Sequence, residues 1–182
     1  MRLLIAAAAL IMSSQIHAQS TPEETLEKYF SILTGRDFTG IETLMDSKSM
    51  ASLKETMDSA IRYQANHGVY RLQRRIFGKK VSMAEVDAAS ASFYLQSLAG
   101  EILEAARAQH LVVEEREILG KVAESDTMVH IVARLNMEQD GTHGSQVLVY
   151  TAVKEGDLWK LEFPATIRQM LTVIEGSARQ IR

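Results

Sequence analysis

No cysteine occurs anywhere in the 182 residues. That absence excludes disulfides, thiol nucleophiles, cysteine-ligated metals and lipid attachment at a cysteine behind a leader, so packing alone has to stabilise the fold. Histidine is sparse as well. His67, His110, His130 and His143 follow the leader region, and no two of them stand at the helical i, i+4 or strand i, i+2 spacing of a zinc pair. There is no G-x-S-x-G elbow, no phosphate-cradling glycine loop and no dinucleotide fingerprint. No catalytic, metal-binding or cofactor-binding residue is therefore assigned. The formal net charge of −3 gives no electrostatic case for a nucleic-acid partner. Internal repeats and low-complexity linkers are also missing.

Long apolar runs are missing too. The run from Leu3 to Met12 has ten residues, against the roughly 20 that a helix needs to cross a bilayer. It follows Arg2 and precedes a polar stretch ending in Ile16-His17-Ala18, the layout of a secretory signal peptide cut after Ala18. The expected organisation is a signal peptide over 1–18 and one domain over 19–182, exported, to the periplasm in the first instance with secretion as the alternative, and with no transmembrane segment in the mature chain. Removing 18 residues leaves 164, enough for a sizeable core.

What is present follows two periods. Thr21, Pro22, Glu23 and Glu24 form a helix-start signal, and Leu26, Tyr29, Phe30 and Leu33 mark one helical face before Gly35. A short helix is expected over Thr39 to Met45 and a longer one over Ser49 to Asn66, on the spacing of Met50, Leu53, Met57 and Ile61. The apolar residues of GVYRLQRRIFGKK fit neither period, so a short strand or an exposed helical turn both remain open there. Ser82 with Glu85 forms a capping-box signature for a long helix reaching toward His110, with Gly100 the expected point of kinking or division. After His110, β-branched residues and turn signals predict strands over Leu111 to Val122, Thr127 to Glu138, Ser145 to Lys154 and Leu158 to Phe163. Val129, Ile131, Ala133, Leu135 and Met137 alternate with His130, Arg134 and Asn136, which separates a buried face from a wetter one. Ile167, Met170, Leu171 and Ile174 make a short C-terminal amphipathic helix. The fold class is α+β, with N-terminal helices packed on a curved four-stranded antiparallel sheet.

The segments LEKYFSILTGRDFTGIETLM, ILGKVAESDTMVHIVARLNM and GDLWKLEF together resemble small exported bacterial proteins of the cystatin-like α+β roll, the nuclear transport factor two type superfamily. The resemblance implies a strongly curved sheet around the helices and a cone-shaped cavity, used by some members for catalysis and by others for binding. The helical region from Ser47 to His110 is longer than in that superfamily, where a strand intervenes early. No position matches the superfamily's catalytic pattern, so no residue is carried over.

Residues expected to line such a cavity are Tyr29, Phe30, Phe93, His130, Tyr150 and Trp159. Arg71, Arg74, Arg75, Lys79 and Lys80, five basic residues with no acid among them, form a candidate anionic contact. The functional expectation is a non-catalytic binding or interaction module, taking a small apolar ligand or a protein partner, with a homodimer through the sheet as one form of the latter. The alternatives are a pocket enzyme of isomerase or dehydratase type, which requires a buried carboxylate or histidine beside a donor such as Tyr29, Tyr94 or Tyr150, and a periplasmic lipid carrier, which requires a cavity long enough for acyl chains.

Overall fold

The computed structural model describes residues 20–35 and 37–179, with side chains described as far as 176. The expected leader, 1–18, lies outside the described residues. Thr21 and Glu24 exchange the two hydrogen bonds of a capping box, at 2.9 and 3.1 Å, and start helix α1 (Pro22–Gly35). A 3-10 turn, Ile41–Leu44, leads into α2 (Ser47–Asn66), whose N-cap Asp46 accepts from the Ser49 N–H. The ambiguous segment is helical: α3 (Arg71–Phe77) buries Leu72, Gln73 and Ile76 and ends at Gly78, with φ +71°.

The long helix expected from Ser82 to His110 is two helices, α4 (Met83–Ala88) and α5 (Ala91–Ala108). The break falls at Ala89-Ser90, not at Gly100. Ser82 and Glu85 form the full capping box of α4, and the Ser90 side chain accepts from the Phe93 N–H to start α5. A capping serine makes a stronger boundary than a glycine with room around it, because it offers the freed backbone donors a partner.

Strands β1 (Leu111–Ser125), β2 (Met128–Gln139), β3 (Thr142–Glu155) and β4 (Leu158–Leu161) form an antiparallel meander in chain order. Its three links are two residues each. Asp140 and Gly141 both have positive φ, +49° and +78°, as the two central positions of a type I′ hairpin require. Three bulges bend β1 against β2, and such irregularities twist and curve a sheet. Helix α6 (Ala165–Arg179) returns to pack on α2 through Ile167 and Leu171.

One core joins helices and sheet. Leu26, Tyr29 and Phe30 of α1 and Leu53, Met57 and Ile61 of α2 are buried with Ile131 and Ala133 of β2, Tyr150 and Ala152 of β3, and Leu161. The chain leading into α2 is tied to the sheet, since Met45 bridges Leu161 and the Asp46 N–H donates to the Leu161 carbonyl at 3.0 Å. No helix of the described residues is long and apolar enough to cross a membrane.

Candidate functional site

The space between the sheet's inner face and α1 is where the resemblance implies a cone-shaped cavity. Tyr29 and Phe30 enter it from α1 and Tyr150 from β3. Their ring centroids lie 6.1 Å apart for Tyr29–Phe30, 6.2 Å for Tyr29–Tyr150 and 5.4 Å for Phe30–Tyr150, and each residue is at most 5 % exposed. Edge-on and tilted contacts at these distances are the favourable geometry for aromatic packing. Burial pushes the Tyr150 phenol up to about 12, opposed by the charge of Arg116, and burial beside Tyr150 carries the Tyr29 phenol well above its ordinary value. Both stay protonated at neutral pH. Arg116 covers this group from β1, donating to the Phe30 carbonyl at 3.2 Å and to the Thr34 hydroxyl, with its guanidinium 5.5 Å from the Phe30 ring centre.

Of the six expected lining residues, Tyr29, Phe30 and Tyr150 converge there. Trp159 is half-buried on the inner face of β4, packed against the same core, and its carbonyl lies 3.4 Å from the Thr25 hydroxyl of α1. Phe93 belongs to a different aromatic group on α5, with Phe77 at 5.1 Å and Tyr94 at 5.9 Å. His130 stands on the opposite face of the sheet. Its Nε2 meets Glu124 Oε2 at 2.6 Å and its Nδ1 meets the Thr151 hydroxyl at 3.2 Å.

Among the described residues one tyrosine–carboxylate pair is present, away from that space. The Tyr94 hydroxyl donates to Asp58 Oδ1 at 2.7 Å, and Lys54 Nζ donates to Asp58 Oδ2 at 2.8 Å and to the Ala89 carbonyl at 2.9 Å. Burial and the bond to Asp58 raise the Tyr94 phenol well above its ordinary value, so it remains a donor. The arrangement ties α2 to the junction of α4 and α5. A second polar tie holds the start of α2, where Glu155 of β3 accepts from the Ser47 hydroxyl at 2.6 Å and the Ser47 N–H at 2.8 Å. Those bonds hold the Glu155 carboxyl below the usual range. The anion-binding capacity of that helix end is thus satisfied from within the chain.

The outer face of the sheet presents apolar side chains to solvent. In register across β1, β2 and β3 stand Val122–His130–Thr151, Gly120–Val132–Val149 and Glu117–Arg134–Val147. Val122 is 62 % exposed, Val149 59 % and Val147 54 %. Gly120 leaves Val132 uncovered on the β1 side, and a Cβ added there would meet nothing within 4 Å. Polar pairs edge the patch: His130–Glu124, Arg134–Glu117 at 2.9 Å and Asn136–Glu115 at 3.0 Å. Beyond them His143 binds Glu114 at 3.0 Å, and that hydrogen bond raises the imidazole above its ordinary value.

These valines were not among the expected site residues, although QVLVYTAV carries the signal. Val147 and Val149 alternate with Leu148 and Tyr150, so the strand is apolar on both sides, the pattern of a strand covered on both faces. The five basic residues of 71–80 are all exposed, on α3 and the turn that follows. No protein-family model matches the chain, and no curated protein does either.

Proposed function

We propose that this protein is a non-catalytic interaction module that pairs with a second copy of itself through the outer face of its sheet. The observation that carries the reading is the valine patch in which Val122, Val147 and Val149 are exposed around a half-buried Val132. The inner space favours this surface over a bound small molecule, since Tyr29, Phe30 and Tyr150 occupy it with their own rings. It equally disfavours an acyl-chain carrier. The Asp58–Tyr94 pair supports a structural role over a catalytic one, because both groups are engaged in linking helices.

A patch that is apolar at its centre and polar at its edges suits an isologous contact, in which each copy presents the same surface to the other. Three strands about 4.8 Å apart and about 12 residues long present roughly 600 Å² of projected area, approaching the roughly 800 Å² per partner of a stable interface. A strand with apolar side chains on both faces is also accounted for once a second copy covers the outer one.

Sedimentation equilibrium over a wide concentration range tests the reading. The expected result is a mass twice that of the chain, reverting to one chain in Val149→Lys with an unchanged circular dichroism spectrum. The position is exposed, so the substitution leaves the core intact. A chain that stays monomeric throughout, or a Val149→Lys variant that dimerises as well as the parent, overturns it.

A further inference from the structure

We propose that the Arg71–Lys80 segment docks the protein onto an anionic phospholipid surface. This surface is separate from the sheet face, and the inference does not depend on the pairing of two copies. The segment carries five basic residues and no acidic one, which leaves 15 basic against 23 acidic groups, a net −8, over the rest of the chain. The segment is thus a local concentration of positive charge in a chain that is otherwise net acidic.

The local structure gathers those charges. Burial of Leu72, Gln73 and Ile76 turns Arg71, Arg74 and Arg75 outward, since residues three and four apart share a helical face. Gly78, at φ +71°, reverses the chain so that Lys80 returns over the start of the segment, its Nζ 3.8 Å from the centre of the Tyr70 ring. Arg75 is paired with Glu101 at 2.6 Å, while Arg71, Arg74 and Lys79 have no ion pair among the described residues. Glu85, the other nearby acid, is already taken up by the Ser82 cap.

Two further observations select a bilayer. The five cations are all exposed, spread along α3 and the turn that follows it, which suits an extended anionic surface more than a single captured phosphate. Beside them stands an aromatic pair: Phe77, one helical turn from Arg74, packs on Phe93, which is 38 % exposed. Aromatic rings flanked by basic groups are what an interfacial contact needs, because the rings enter the headgroup boundary while the cations hold the phosphates.

Flotation with lipid vesicles tests the proposal on the protein as recovered from cells. The expected result is binding to vesicles rich in phosphatidylglycerol, release by added salt, and little binding to pure phosphatidylcholine vesicles. Each cation near an anionic surface contributes about a factor of five, so Arg71→Gln/Arg74→Gln/Lys79→Gln should weaken binding on the order of 100-fold. Those three side chains are exposed, and an unchanged thermal midpoint confirms that the variant is folded. Phe93→Ser should weaken vesicle binding while leaving its salt dependence intact. Equal binding to both vesicle types, or a triple variant that binds like the parent, overturns the proposal. So does binding to heparin as tight as to the vesicles together with a silent Phe93→Ser, which assigns the surface to a soluble acidic polymer.

Discussion

Asp58 and Tyr94 stand 36 residues apart in the chain and meet at 2.7 Å, with the Tyr94 side chain fully buried. The phenol is one of the few polar groups carried into the core, and its only charged acceptor is Asp58. A hydrogen bond from a buried group to a charged acceptor is worth about 1.5–3 kcal/mol. Tyr94→Phe keeps the ring, and hence the packing on Phe77 and Phe93, and removes the hydroxyl with its bond to Asp58 and its longer one, 3.4 Å, to the Val86 carbonyl. Its stability measured by urea denaturation should fall by about 1.5–3 kcal/mol with the denaturant slope unchanged. An unaltered midpoint would mean that Asp58 is held by Lys54 and that Tyr94 contributes only its ring. Sequence reading identifies Tyr94 as a potential donor, and Asp58 falls within the helix expected over Ser49 to Asn66. It cannot join them, because the contact depends on how α2 and α5 pack and not on any local spacing. His130 shows the same limit from the other side. Its place on the wetter face of β2 is legible from alternation, and that alternation itself sets it across the sheet from the aromatic cluster.

At the scale of elements, period and punctuation carry most of the information. The Thr21–Glu24 start of α1, the Leu53, Met57 and Ile61 stripe of α2 and the four antiparallel strands can all be read from residue types alone. The segment Arg71–Phe77 is not legible in the same way, since seven residues give only two turns of periodicity and its helix depends on burying Leu72 and Ile76 against the rest of the chain. The division between α4 and α5 turns on competition between two weak signals. Ser90 supplies a cap, whereas Gly100 sits inside α5 with helical backbone, and nothing lies within 4 Å of a Cβ placed on it. Glycine there only adds freedom to the unfolded chain. Gly100→Ala should therefore stabilise the protein by about 0.5–1 kcal/mol, read as a rise in thermal midpoint. A fall in midpoint would show that α5 needs the flexibility and that the helix bends at this residue in solution.

For the whole molecule, the question is whether the helical half and the sheet half fold as one unit. Every tie across the chain argues that they do. Tyr29 and Phe30 pack on Tyr150, the Asp46 N–H donates to the Leu161 carbonyl, Glu155 caps the start of α2, and the Phe163 N–H donates to the Ser49 hydroxyl at 3.2 Å. Neither half retains a covered apolar face without the other, since α1 and the inner side of the sheet share the same buried side chains. The single tryptophan is placed to report on this junction, because Trp159 lies on the last strand with its carbonyl beside Thr25 of α1. Its fluorescence follows the seam, and far-ultraviolet circular dichroism follows mainly the helices. In a cooperative two-state transition the two probes must give the same midpoint and slope in denaturant. Coincident curves are the expected outcome. A tryptophan signal that changes before helix content would mean that the meander detaches from an independently stable helical layer, and the shared aromatic core would then contribute far less than its burial implies.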